Sequence, residues 1–491
     1  MTAPLTAADE RGLKGLSLDS RVRQLFYGLS PEAIHELSER VPEEARRRRV
    51  VYARDGVEDV INIMLRPIAV MPDQVSYFHI VSLTIVNALK RLPDLYIQDF
   101  AIREVVPLTH DEEKWLWDNW NQSHRENNPV FGRLDAMVDF TSPMWKDSLN
   151  FVEPNLSGVG GIHLAPNVEQ VLNETVVPEL KKQAPGLQLE PGLDLRDMFI
   201  QEMLDHLEAI GRPGGVICFI DPKYSGDGPV ELDPLAEYAN EVFGVKIVHA
   251  DPSELYVRSN EVWYEDTKID LGYRDYEVRD LIYMEEEEGL DIRPMRILFR
   301  ENRMVSSMAG DFDHKSTWEV LTDPRFTEKY FTADDRHYFK RHVLWTRRLR
   351  ERRTTDPDGQ VIDLLEFTRK NQDLLVLKPN RSYGGDRVLL GPSLEEGEWE
   401  AAIQEAVTGE ESWVVQRLAR ISVTEFPVIA SDKSVHMEPF YTVMGFAPTK
   451  YGVAVLGRAS QKQVVNVAQR GGMCAVLVGR YGKTLHGPRR I

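Results

Sequence analysis

Cysteine is nearly absent. Cys218 and Cys474 are the two in 491 residues, which excludes a disulfide scaffold and any cysteine-rich zinc or iron–sulfur centre. Such sparse thiols fit a reducing, cytoplasmic setting. Long apolar runs are missing too: none approaches the roughly 20 residues of a membrane-spanning helix, and the opening MTAPLTAADERGLKG lacks the basic-then-apolar order of a secretion signal. The expectation is a soluble intracellular protein with no membrane partner, in which sequons such as Asn155-Leu-Ser carry no glycan. Basic charge is in deficit, 59 Lys and Arg against 78 Asp and Glu, a formal net charge of −19. No face is then basic enough to neutralise a run of phosphates, so nucleic acid is excluded as a partner. Neither GxxxxGK[ST] nor a strand-following GxGxxG occurs, which removes the P-loop and the Rossmann dinucleotide site. What remains is 42% hydrophobic, ordinary for a folded chain, with length for about two to four domains.

The periodicity divides the chain into three. Residues 1–131 read as a helical N-terminal region: RVRQLFYGL, SPEAIHELSERV and HDEEKWLWDNWNQSHREN space their large apolar residues by three and four. Ser30-Pro31 and Thr109 mark helix starts, and Trp115, Trp117 and Trp120 are expected to pack on a neighbouring domain. From residue 132 to 310 the period becomes that of strands. RLDAMVDF and SLNFVEP form a hairpin across the turn-rich TSPMWKD. Strand GGVICFID, helix ELDPLAEYANEVFG and strands VKIVHAD and KIDLGYRD form an α/β layer with parallel strands. Residues 311–491 read as an α+β unit with an antiparallel sheet, built from LLVLK, RVLLG, SWVVQRL, VHMEPFYTVMG, YGVAVLGRA and QVVNVA. The charged stretch RRLRERRTTDPDGQ (347–360) is expected to be a solvated helix end and turn.

Three segments have the composition of a site. In LVLKPNRSYGGDRVLLG (375–391), Lys378 ends a strand and Gly384-Gly385 follow, so a cation and close-approaching backbone N–H groups could cradle a polyphosphate; a plain glycine hairpin is the alternative. In FVEPNLSGVGG (151–161), Glu153 and Asn155 are two apart at a strand end and share a face, where they could offer hard oxygens to Mg²⁺; a loop entry with a capping asparagine is the alternative. Arg133, on the partner strand, could clamp a carboxylate or oxyanion beside them. In VVNVAQRGGMCAV (464–476), Arg470-Gly471-Gly472 could be a closing loop or an ordinary hairpin.

Taken in order, Arg-x-Asp, a hairpin ending in Glu-x-Asn and glycines, Tyr-Arg-Asp, a lysine-bearing helix, Leu-Lys-Pro-x-Arg with a double glycine, and a terminal Gly-Gly loop resemble the circularly permuted ATP-grasp ligases. The best-known members are the eukaryotic-type glutathione synthetases and the glutathionylspermidine synthetases. The resemblance runs through short motifs from Gly132 to Gly479. It implies an ATP-grasp fold appended to the helical N-terminal region, with ATP and Mg²⁺ as cofactors. It implies Arg133, Arg274 and Arg470 as arginines acting on substrate. Lys315 (in AGDFDHKSTWEVL), Lys378, Tyr383, Gly384, Gly385 and Gln416 would bind the nucleotide, and Glu153, Asn155 and Asp135 the metal. One position departs from the pattern: Ser382 stands where the glutathione synthetases carry a metal-binding glutamate. Asp135 or Asp139 is the preferred substitute, with Asp386 and Glu438 as further candidates.

The chemistry implied is ADP-forming amide-bond synthesis between a small carboxylate and an amine. The γ-phosphoryl group of ATP activates the carboxylate as an acylphosphate, the amine displaces phosphate, and the protein positions the reactants and neutralises charge. Three arginines suggest an acceptor with more than one carboxylate. A nucleotide-binding protein without ligase turnover and a phosphotransferase are the competing readings. Homo-oligomerisation is open.

Overall fold

The computed structural model describes residues 17–480 apart from 143, 225–226, 383–384, 386, 421 and 463–470. The expected strand QVVNVA, together with Tyr383, Gly384, Asp386 and Arg470, lies outside the described residues.

The chain opens with helices whose ends follow from local chemistry. Helix α1 (Leu18–Tyr27) starts on the Ser17 hydroxyl. Helix α2 (Pro31–Arg47) starts at Ser30, whose side chain accepts from the Ala33 N–H, with Pro31 in the first turn. Helix α3 (Pro72–Leu89) is the long central one. Helix α4 (His110–Asn119) has a full capping box, Thr109 with Glu112. Short strands at Val51–Arg54, Val57–Val60 and Ile68–Val70, which the helical periodicity does not anticipate, interrupt this region. Trp115 and Trp120 are buried, whereas Trp117 is 48% exposed beneath Arg103. Trp115 packs edge-on to Phe299, 5.5 Å between ring centroids.

The predicted hairpin follows. Strands β1 (Arg133–Met137) and β2 (Asn150–Asn155) pair antiparallel, with Arg133 opposite Asn155 and Asp135 opposite Glu153. Four strands then run parallel in the spatial order β6-β5-β3-β4: β3 (Ile217–Ile220), β4 (Ile247–Ala250), β5 (Leu271–Arg274) and β6 (Met304–Val305). This is the α/β layer expected from GGVICFID, VKIVHAD and KIDLGYRD. Strands β7 (Thr346–Arg348), β8 (Leu375–Pro379), β9 (Leu389–Leu390) and β10 (Trp413–Arg417) make an antiparallel sheet ordered β7-β10-β8-β9.

Four strands late in the chain do something that periodicity cannot foresee. Strands β11 (Val423–Ile429), β12 (Val435–Thr449), β13 (Gly452–Ser460) and β14 (Gly472–Cys474) do not form a sheet of their own. They join the hairpin 300 positions upstream, in the order β14-β13-β12-β1-β2, with β11 on the same edge of β12 as β1. Met444 faces Ala136, Gly445 faces Asp135 and Phe446 faces Leu134. Because side chains alternate along a strand, Leu134, Ala136 and Phe151 enter a core covered by α3. There Phe78 lies 5.1 Å from Phe446 and 5.9 Å from Phe140 between ring centroids. Burying each such ring contributes roughly 1.5–3 kcal/mol. The helical N-terminal region is thereby built into the same core as the sheet, and its other face is left for polar residues.

The charged stretch at 347–360 corrects an expectation. It is a strand end and hairpin, with Arg353–Thr355 paired to Val361–Asp363. Arg347 is wholly buried, donating to the Thr322, Thr354 and Thr355 hydroxyls and to the Thr346 carbonyl. A run of arginines reads as solvated, yet one of them sits in the pleat facing inward, where hydroxyls replace its hydration. No helix among the described residues is long and apolar enough to cross a membrane.

Candidate functional site

On the polar face of the large sheet, Arg133 and Asp135 on β1 lie beside Glu153 and Asn155 on β2 and next to β12. Strand β12 supplies a glycine at the crossing point for a steric reason. A Cβ at Gly445 would lie 2.5 Å from Cδ of Arg133, so the arginine stem crosses bare backbone there. The guanidinium then donates to the Gly160 carbonyl at 2.6 Å and to Asp135 at 3.2 Å. That first bond ties Arg133 to the glycine loop after β2. The loop is held from its far side by Glu231, whose carboxylate accepts the N–H groups of Gly161, His163 and Leu164 at 2.6, 2.9 and 3.1 Å.

Asp135 carries a second ion pair. Arg458 on β13 reaches across β12 to its other oxygen at 2.6 Å. Burial pushes the Asp135 carboxyl upward, but Arg458 and Arg133 outweigh it and hold the pKa below the usual range. With both oxygens committed to guanidinium groups, Asp135 does not fit as the third metal ligand. Asp139 is committed as well, its Oδ1 accepting the Thr141 and Ser142 N–H groups in a tight turn. Glu438 sits on the outer half of β12 and accepts from the Gln461 amide. Arg458 was missed from sequence; a lone arginine inside the apolar strand GVAVLGRA was the signal available.

Glu153 and Asn155 differ from Asp135. No hydrogen bond among the described residues engages the Glu153 carboxylate, and its nearest cation is Lys315, 3.6 Å away. The Asn155 amide donates to the Arg133 carbonyl at 3.2 Å, and no hydrogen bond among the described residues engages its Oδ1. Two hard oxygens are therefore available on one face, the number Mg²⁺ takes from protein when phosphates and water fill its other positions. Among the described residues no group of three His, Cys, Asp or Glu side chains is placed to hold a metal unaided.

The antiparallel β7–β10 sheet closes on this face. Lys378 on β8 donates to the Gln416 carbonyl oxygen on β10 at 2.9 Å. The Gln416 amide in turn donates to the Val152 carbonyl at 3.0 Å and to the Thr346 hydroxyl at 2.9 Å. Val152 precedes Glu153, so the two sheets are stitched at the site itself. Lys378 is buried, and burial depresses its pKa to about 8 even though Glu153 pulls it the other way. Lys315 lies in the turn before a short helix, α5 (Thr317–Thr322), rather than on the helix itself. It donates to the Ser382 carbonyl at 2.6 Å, while its backbone N–H donates to the Asn380 carbonyl at 3.0 Å. On either side of it, His314 Nε2 and Ser316 Oγ are buried without a hydrogen-bond partner among the described residues.

The residues between Lys378 and the double glycine also anchor the loop. Arg381 forms ion pairs of 2.7 Å with Glu112 of α4 and 2.7 Å with Glu277, tying the loop to the helical region and to the parallel sheet. Gly385 has φ +74°, the left-handed backbone that a side chain resists.

Arg274, expected to bind substrate, belongs to the interior. It is fully buried at the end of β5, donating to the Ser306, Ser307 and Tyr276 carbonyls and pairing with Asp311 at 2.6 Å. Its donors are spent on the protein, so in this conformation it has no face for a ligand. Contacts thus link Lys315 to Glu153, Asn155 to the Arg133 carbonyl, and Lys378 through Gln416 to the Val152 carbonyl, whereas Asp135 and Arg274 are held in buried ion pairs.

The chain is mixed α/β, and comparison with solved structures finds a similar fold. A glutathione synthetase-like effector from Globodera pallida, in its apo form, superposes with a TM-score of 0.59 at 11% identity, covering 91% of this chain and 97% of that one. A protein of Methylobacillus flagellatus provisionally described as a gamma-glutamylcysteine synthetase aligns over 80% of this chain and 88% of its own, at 10% identity and a TM-score of 0.39, too distant to carry weight. No protein-family model matches the sequence, and no curated protein matches it.

Proposed function

We propose that the chain is an ADP-forming carboxylate–amine ligase of the ATP-grasp kind, dependent on ATP and Mg²⁺, joining two small molecules by an amide bond. The observation that carries the reading is the meeting of Lys315 with Glu153 at 3.6 Å, and of Lys378 with the strand bearing Glu153 through Gln416. Two cations aimed at a carboxylate that has no hydrogen-bond donor are poorly balanced without a ligand. A triphosphate with its metal supplies the missing charges.

In this reading Lys315 and Lys378 hold the phosphates, and Glu153 and Asn155 hold Mg²⁺, with Gln416 setting the position of the Lys378 amine. ATP and Mg²⁺ supply the activated phosphoryl group and its charge neutralisation. Arg133, fixed by Gly160 and Asp135, holds the acceptor carboxylate and balances the negative charge that grows on it as the amine attacks. Tyr383, Gly384, Gly385 and Arg470 are proposed to complete the closure over the nucleotide. The sheet-to-sheet cleft would exclude the water that hydrolyses an acylphosphate.

One observation favours a second reading, a nucleotide-binding protein without turnover. Ser382 offers no carboxylate, and its carbonyl is already taken by Lys315; the Globodera neighbour is itself described as an effector. The discriminating experiment screens ADP release against pooled amino acids, dipeptides and polyamines. Turnover that requires both an acid and an amine, and that Glu153→Ala lowers by about 10²-fold or more, supports the ligase. ATP binding with ADP release that no pair of substrates raises above background supports the second reading.

A further inference from the structure

A separate cavity of about 270 Å³ lies where the end of α3, the segment before β1 and the helix Leu195–Ala209 meet, and none of its lining residues belongs to the Glu153–Lys378 cleft. Four charged side chains line it: Lys450 and Asp205 pair at 2.6 Å, whereas Lys90 and Glu202 form no ion pair with each other among the described residues. Lys90 caps the C-terminus of α3, and its carbonyl accepts from Asn128. Its ammonium makes no hydrogen bond or ion pair among the described residues. A helix C-terminus favours a cation there; Lys90 is half-buried, and burial lowers its pKa while Glu202 acts the other way. Glu202 holds the Lys450 backbone N–H with one oxygen, at 2.8 Å, while the Lys450 ammonium is drawn off to Asp205 at 2.6 Å. No hydrogen bond among the described residues engages the second Glu202 oxygen. The wall between them is apolar: Phe131 and Phe199 are in edge-to-face contact at 4.7 Å, and Met203 is buried beside them.

We propose that this cavity is a binding site for a free α-amino acid with an apolar side chain, its carboxylate on Lys90, its ammonium on Glu202 and its side chain against Phe131, Phe199 and Met203. One cation and one anion that form no ion pair with each other match a zwitterion; a phosphate or a dicarboxylate would leave the second charge facing Glu202. The volume is below the usual range for drug-sized ligands and suits a smaller molecule. The site is independent of nucleotide, so it stands or falls apart from the ligase reading.

The test is calorimetric titration of the full nucleotide-free chain with three probes: L-leucine, 4-methylpentanoate, which lacks the ammonium, and isopentylamine, which lacks the carboxylate. L-Leucine should bind at one site with a Kd between about 10 µM and 1 mM, and each truncated probe should bind at least about tenfold more weakly. Lys90→Met should abolish leucine binding, and Glu202→Gln should erase the advantage of leucine over 4-methylpentanoate. Glu153→Ala should leave binding unchanged; loss in that variant would place leucine in the catalytic cleft and overturn the assignment. So would the absence of binding of L-leucine, L-methionine and L-phenylalanine up to about 10 mM. Should Lys90→Met fail to fold, reductive methylation of the wild-type protein decides. Protection of Lys90 by L-leucine, read by mass spectrometry, supports the site, and unchanged labelling refutes it.

Discussion

Replacing Lys378 by methionine keeps the methylene stem and removes only the ammonium, which makes it a clean probe of the charge balance in the cleft. Burial holds the folded-state pKa at about 8, against an ordinary lysine value near 10.4 in the unfolded chain. At neutral pH the folded protein therefore carries a buried cation at a cost of about 2–4 kcal/mol, from 1.36 kcal/mol per pKa unit. The substitution also strands the Gln416 carbonyl oxygen that accepts from Lys378, at about 1–3 kcal/mol. The two nearly cancel, leaving Lys378→Met neutral to about 1 kcal/mol more stable at pH 7, where an ordinary buried truncation costs 2–5 kcal/mol.

The pH dependence is the sharper test. Because the folded pKa is depressed, the unfolded chain binds more protons between about pH 8 and 10.5, and wild-type stability rises with pH through that window. Urea unfolding of both proteins without nucleotide should show the difference moving toward wild type by about 2 kcal/mol between pH 7 and 9.5. His249 titrates nearby, but in both proteins, and cancels. ATP affinity at pH 7 should fall by about 10–100-fold in the variant, the loss of a charge-assisted contact. A stability difference flat in pH would refute the buried-cation argument. Undiminished ATP affinity would remove Lys378 from the nucleotide site.

Three further outcomes follow from the geometry. Gly445→Ala puts a methyl group 2.5 Å from the Arg133 stem, so ligase turnover should show a raised KM for the carboxylate with ATP binding unchanged; an unchanged KM would mean that Arg133 does not hold that substrate. Asp135→Asn leaves Arg458 and Arg133 without their shared anion and should cost about 3–5 kcal/mol in chemical denaturation, whereas a loss below 1 kcal/mol would show the pairs to be solvated. His249 bridges Asp221 at 2.5 Å and Asp233 at 2.7 Å, and these bonds, opposed by burial, raise its pKa to about 9. That raised value gives stability complete below about pH 6.5 and lost as pH climbs through 9, so His249→Gln should lose most stability at about pH 6.5 and below, with the gap from wild type closing by pH 10. A gap constant from pH 6 to 10 would contradict the bridge.

Periodicity and end-chemistry were enough for the local elements. Ser30, Pro31 and Thr109 start helices because their side chains or missing N–H satisfy the first turn. The β1–β2 hairpin and the parallel strands follow from alternation and apolar runs that have no other stable placement. The same alternation put Glu153 and Asn155 on one face. Those are properties of a few neighbouring residues, and a few residues suffice to state them.

Tertiary structure decided the rest, because it depends on which surfaces meet. Nothing in RLDAMVDF says that its edge will be taken by β12, 300 positions later. Only that pairing brings Arg458 to Asp135 and withdraws Asp135 from the metal. Arg274 and Arg347 look like any other arginines in the chain, yet the Ser306 and Ser307 carbonyls enclose the first, and the Thr322 hydroxyl with those of the adjoining hairpin encloses the second. A side chain's type is set by the gene. Its freedom to bind a ligand is set by whether the fold has already satisfied its hydrogen bonds and charge.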